Sequence, residues 1–222
     1  MSQAKAGGQE QNSIKLRRRE TMIKSAVRCF CEKGIERTAL SDIAAYAQVG
    51  EATLYRYFST KENLVMDCGI DFWQSACTYY KRTAEDKQYQ NKNGLLQVEA
   101  LLCCTEKLFW EKKEKFKFLH DLDAFLVSHR IEAEKLQEYE ALIAYPRPIL
   151  CDAIEKGKRD GSIACTAPTE ELYYTLTHTI LSLLEKLAGI GAILSSDNAV
   201  TEEKRMILLR KLLLEGLKNG AV

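Results

Sequence analysis

Residues 38–64 read TALSDIAAYAQVGEATLYRYFSTKENL. Leu40, Ile43, Ala44 and Ala47 stand at i, i+3, i+4 and i+7, the apolar stripe of a short helix, with Thr38 as its candidate N-cap. Gln48-Val49-Gly50 makes a three-residue turn. A second short helix is expected from Glu51 to about Phe58, with Leu54 and Phe58 one turn apart and able to dock on the first helix. Its other face shows Glu51, Ala52, Thr53, Tyr55, Arg56 and Tyr57, polar, small and aromatic groups with no core to fill.

Two short helices on a tight turn form a helix-turn-helix, whose second helix enters the DNA major groove. The residue types suit that use. Gly50 and Ala52 let a helix N-terminus, the positive end of its dipole, come close to a phosphate. Threonine, tyrosine and lysine hydrogen-bond phosphate oxygens, and Arg56 can reach a guanine edge with two N–H groups. Glu51 either accepts from a cytosine amine or simply favours the dipole.

Upstream, Asn12-Ser13 is the expected cap of a helix from near Ile14, with residues 1–12 as a flexible arm. Leu16, Ile23, Ala26, Val27 and Phe30 give that helix an apolar face opposite a basic one, and Gly34 stops it. The whole chain of 222 residues has a net charge of only +1, which taken alone argues against a nucleic acid partner. Charge by segment says otherwise: residues 1–62 sum to +4 and residues 63–222 to −3.

With 3 Pro and 12 Gly, the rest of the chain has few helix breakers, and an all-α fold is expected. Thr60 can cap a fourth helix reaching about Lys81, followed by a polar loop over 86–94 and helices over 95–111 and 116–127. Segments 133–144 and 149–158 read as one helix kinked at Pro146 and Pro148, or as two. Leu172, Leu176, Ile180, Leu183, Leu184 and Leu187 stripe the penultimate helix. The last, from about Thr201 to Lys218, is apolar on more than one face, which calls for burial on two sides.

Eight cysteines are scattered without a CxxC pair, so free, reduced thiols are expected, and redox activity at any of them is left open. His120, His129 and His178 lack ligand spacing, and no metal is expected. No nucleophile–base pair or phosphate-cradling glycine loop points to an enzyme. The N-terminus lacks a signal-peptide core and no apolar run is long enough to span a membrane, so a cytoplasmic protein without a membrane partner is expected.

Residues 38–64, with Ala26-Val27, Phe30 and Lys33-Gly34 upstream, resemble the DNA-binding signature of TetR-family transcriptional regulators. Leu-Tyr-x-Tyr-Phe at residues 54–58 followed by Lys61-Glu62 is the most specific part of the likeness. The resemblance implies an N-terminal three-helix DNA-binding domain (1–62) and a C-terminal helical ligand-binding and dimerisation domain (63–222). It implies a homodimeric repressor on a near-palindromic double-stranded operator, released by a small apolar or aromatic effector and needing no cofactor. Carried over by position, Thr38, Tyr57 and Lys61 fall on phosphate contacts. Thr53, Tyr55 and Arg56 fall on the recognition helix, with Gly50, Glu51 and Ala52 at its start, and Ser41 falls on a second-helix position that reaches bases. The chain departs from the family where Gln48 stands for a turn glycine, Gly50 for a capping serine and Ala52 for a glycine. An effector pocket is expected among Trp73, Trp110, Phe118, Phe125, Tyr145 and His178. A dimer interface is expected at Leu176, Ile180, Leu183, Leu187, Leu209, Leu213 and Leu217.

Overall fold

The computed structural model describes residues 2–189 and 199–220, with side chains from Gln11 onward. Among the described residues eleven helices follow in order: α1 (Ser2–Lys33), α2 (Leu40–Ala47), α3 (Glu51–Phe58), α4 (Lys61–Glu85), α5 (Lys87–Gln90), α6 (Gly94–Glu111), α7 (Lys113–Ser128), α8 (Ala133–Ala144), α9 (Pro146–Asp160), α10 (Thr169–Gly189) and α11 (Glu202–Asn219). Among the described residues there is no strand, and the all-α expectation holds. None of these helices is long and apolar enough to cross a membrane.

The first helix departs from expectation. It runs unbroken through Asn12-Ser13 back to Ser2, where a flexible arm was expected; Met1 lies outside the described residues. Residues 2–11 lack proline and are rich in Ala, Gln, Lys and Glu, good helix formers that offset Gly7 and Gly8. Leu16, expected on the buried face, is exposed, and the face that packs begins at Met22.

The chain divides into two units. Unit 1 comprises residues 1–72 and 121–139; unit 2 comprises residues 73–120 and 140–222. In unit 1, α1 packs on α2 and α2 on α3, around Met22, Ile23, Ala26, Phe30, Ile43, Ala44, Leu54 and Phe58. Segment 121–139 joins this unit through polar links to α4: the Asn63 amide donates to Glu132 at 3.1 Å, and Lys135 pairs with the buried Asp67.

In unit 2, α6 packs on α9 and α11, and α10 packs on α9 and α11. The expected loop over 86–94 contains the short α5, capped by the Asp86 carboxylate accepting from the Gln88 N–H at 2.7 Å. Segments 133–144 and 146–160 are two helices. Pro146 takes the first turn of α9, where its missing N–H costs nothing. The Asp160 carboxylate accepts from the Gly94 N–H at 2.8 Å, joining the end of α9 to the start of α6. Hydrogen bonds from Ser162 and Gly94 hold that carboxyl below its ordinary range.

Candidate nucleic-acid interface

The pair α2–α3 is held in place from below. Leu54 and Phe58 point into the unit 1 core, as their spacing implied. The Asp42 carboxylate accepts from the Ala39 N–H at 3.0 Å at the start of α2. It also pairs with Lys33 of α1 at 2.6 Å. The Lys33 ammonium, ahead of that backbone bond, holds the Asp42 carboxyl below its usual range. The Tyr46 hydroxyl donates to Glu32 at 2.7 Å, and the Arg28 guanidinium lies over the Tyr46 ring. Side chains of α1 thus fix the outer edge of α2.

The N-cap of α2 is Ala39, not Thr38. Thr38 is 1% exposed. Its hydroxyl donates to the Gly34 carbonyl at 2.7 Å and lies 3.3 Å from that of Cys29. Thr38 therefore locks the α1–α2 corner, and the expected phosphate contact is withdrawn.

The turn between α2 and α3 has left-handed backbone at Gln48, φ 54° and ψ 43°. The Gln48 N–H donates to the Ala45 carbonyl at 3.2 Å and the Val49 N–H to that of Ala44 at 3.0 Å, closing α2. A residue with a Cβ is strained in this conformation by about 1–2 kcal/mol. Gln48→Gly is expected to stabilise the chain by about 1 kcal/mol, since glycine's greater freedom in the unfolded chain offsets part of the relief. Gln48→Val should do the reverse, and thermal unfolding of the two variants gives the check. A second positive φ, at Ser59, closes α3: the Thr60 N–H donates to the Phe58 carbonyl at 2.7 Å in a γ-turn. Thr60 then caps α4 by accepting from the Asn63 N–H at 3.1 Å.

This scaffold presents one face of α3. Glu51, Ala52, Tyr55 and Arg56 are exposed, Thr53 and Tyr57 half-buried, and Gly50 and Ser41 exposed beside them. Lys61 opens α4 at the same end, its ammonium donating to the Glu36 carbonyl at 3.1 Å. Nine of the ten expected contact residues thus remain at the surface of unit 1; Thr38 does not. Beside α3 lies a cleft of about 530 Å³, with Gln48, Thr53 and Arg56 on one side and Ile14, Arg17, Arg18 and Thr21 of α1 on the other. The α1 wall falls within the helix expected from near Ile14, on its basic side; that this side faces α3 across a cleft depends on how α1 packs, which residue spacing does not record.

The expected effector residues are divided between the two units. Phe125 lies in unit 1, stacked on His129 with centroids 3.9 Å apart. Trp110, Tyr145 and His178 of unit 2 are exposed, Trp73 is half-buried and Phe118 is buried. The expected dimer residues divide as well. Leu176, Ile180, Leu187 and Leu217 are buried in their own subunit and are withdrawn from the interface; Leu183, Leu209 and Leu213 are half-buried. The exposed apolar groups of α11 are Leu208 at 57% and Leu212 at 62%. The eight cysteines are free, and burial raises the thiol of Cys29 above its ordinary range. Among the described residues no three His, Cys, Asp or Glu side chains are grouped to hold a metal.

A braced helix-turn-helix with an exposed second helix is the arrangement of a DNA-reading domain. Residues 22–68 match the family described as bacterial regulatory proteins, tetR family. The HTH-type transcriptional regulator LuxR of Vibrio harveyi is 42% identical over 50 residues, 22% of this chain and 24% of that protein; the match thus spans about a quarter of its length. Among solved structures, a tetR-family regulatory protein from Rhodococcus RHA1 superposes with a TM-score of 0.70, at 14% identity, over 90% of this chain and 96% of that one. FadR of Bacillus subtilis, solved in complex with stearoyl-CoA, gives 0.59 at 19% identity over 90% and 98%. Residues 22–68 are thus similar to the N-terminal domain of tetR-family regulatory proteins, and the fold shared with the solved structures extends over both units.

Proposed function

We propose that the chain is a homodimeric repressor that binds a near-palindromic operator and leaves it when a small apolar or aromatic effector binds. In this reading residues 1–62 are the DNA-reading head, and residues 63–222 carry the effector site and the dimer contact. The observation that carries the proposal is the division of labour on α3: two side chains sink into the core while Tyr55 and Arg56 stay exposed, with the half-buried Thr53 beside them. The exposed Leu208 and Leu212 of α11 support the dimer, because an apolar patch on a terminal helix favours a partner. A two-fold dimer would present two copies of α3 to two half-sites. The effector reading draws on FadR, whose structure holds stearoyl-CoA. Coupling between effector and DNA would run through α4, which contributes residues to both units.

The test is a gel shift with DNA from upstream of the protein's own gene, repeated with any compound that raises the melting temperature. A specific shift that the compound abolishes supports the reading; no shift on any duplex overturns it. Arg56→Ala is expected to weaken specific binding by about 1–3 kcal/mol while leaving non-specific binding nearly unchanged. Equal losses on matched and unrelated duplexes would remove Arg56 from base recognition.

A further inference from the structure

The wall of the cleft opposite α3 is a face of α1. Ile14, Arg17, Arg18 and Thr21 recur at i, i+3, i+4 and i+7 on it, and all four are exposed. The arginines of α1 sort into two kinds. Arg19 pairs with Asp67 of α4 at 2.7 Å and Arg28 with Glu32 one turn along α1 at 3.0 Å, so both already have a carboxylate partner. Among the described residues the guanidinium groups of Arg17, Arg18 and Arg56 have no ion-pair partner. Three unpaired cations therefore border one open cleft of about 530 Å³.

Like charges around one cleft repel one another unless an anion lies among them. The anion must extend from the α1 wall to the residues beside α3. A single inorganic ion would not use the length of the face, whereas a phosphate backbone supplies a charge at each step along it. We infer that Arg17 and Arg18 form a second DNA contact: they grip the phosphate backbone alongside the groove that α3 reads. This inference rests on the DNA-binding reading above and deepens it. Arg56 discriminates among bases, while Arg17 and Arg18 add affinity that is indifferent to sequence. This face of α1 thus acts as a clamp on the flank of the reading head.

The experiment compares the full-length protein with an Arg17→Ala/Arg18→Ala variant, on upstream DNA and on an unrelated duplex, across a salt series. The slope of log affinity against log salt should fall by roughly 1.8, about 0.9 for each phosphate that the variant no longer neutralises. The fall should be the same on both duplexes, so the ratio of specific to non-specific binding should not change. An Arg17→Lys/Arg18→Lys variant keeps the charge and should keep the slope. An Arg82→Ala/Lys87→Ala variant removes two exposed charges from unit 2 and should leave the slope unaltered. An unchanged slope in Arg17→Ala/Arg18→Ala overturns the inference, as does an equal fall in the unit 2 control, which would mean bulk charge only. Loss of discrimination with the slope intact overturns it in favour of base reading. If the unaltered protein binds neither duplex, both the DNA-binding reading and this inference fall.

Discussion

Gly94→Ala is expected to destabilise the protein by at least ~3 kcal/mol, the upper end of what overpacking costs. Gly94 is the first residue of α6 and is buried against α9. A Cβ built on it would lie 1.9 Å from the Gly157 amide nitrogen, 2.2 Å from its Cα and 2.6 Å from the Ala153 carbonyl oxygen. All three are backbone atoms, so no rotamer change relieves the clash and the two helices must separate. Separation also pulls the Gly94 N–H away from the Asp160 carboxylate that ties the end of α9 to α6. Gly157→Ala is the informative comparison. The atoms its Cβ would meet first all belong to the Ile163 side chain, Cδ1 at 2.5 Å and Cγ1 at 2.6 Å, and these can turn aside where a backbone cannot. The loss at Gly157 should therefore be well below that at Gly94. Denaturant unfolding gives the ordering. A loss under about 1 kcal/mol for Gly94→Ala would mean that the crossing has slack and that the close approach is not what holds unit 2.

The helix-turn-helix was legible in the sequence because its determinants are local. The stripe of α2, the pair Leu54 and Phe58, and the turn before Gly50 all lie within a few residues of what they control. What escaped depends on neighbours remote in the chain. Thr38 resembles a cap, and only the carbonyls of Cys29 and Gly34 above it reveal a buried brace. The leucine stripe of α10 is real, but periodicity says only that a face is buried, not whether the same chain or a second copy buries it. Leu176 and Ile180 face inward; on α11 the uncovered residues are Leu208 and Leu212, one turn apart and off the expected stripe. The expected effector residues rest on a similarly indirect signal. Aromatic content identifies a core, whereas a pocket is a gap left in one, and no spacing rule records a gap. The extension of α1 was hidden by a plausible internal cap at Asn12-Ser13 that the helix does not use.

A simultaneous Arg19→Ala/Lys135→Ala change is expected to cost about 3–5 kcal/mol, far more than either change alone. The reason is Asp67. Its side chain is 4% exposed, and two cations reach it from different helices: Arg19 of α1 at 2.7 Å, and Lys135 of α8. Those cations are 38% and 25% exposed, so either one, left behind, can still draw on water. The carboxylate has no such recourse. Remove one cation and the other still neutralises it, at a cost of about 1 kcal/mol. Remove both and a buried charge stands alone, with the penalty of an unpaired ion. The Arg19 guanidinium also lies over the Phe58 ring, 5.7 Å from the centroid, so its single change should cost somewhat more than that at Lys135. A double-mutant cycle reads the coupling, expected at about 1–3 kcal/mol and unfavourable. Additive losses would show that Asp67 finds water once its partners leave. Adding Asp67→Leu to the double variant should recover most of the stability, because a buried apolar side chain needs no partner. If it does, the three helices α1, α4 and α8 are held together by the need to neutralise one carboxylate, and the base of the helix-turn-helix is fixed at a buried residue away from the exposed face of α3.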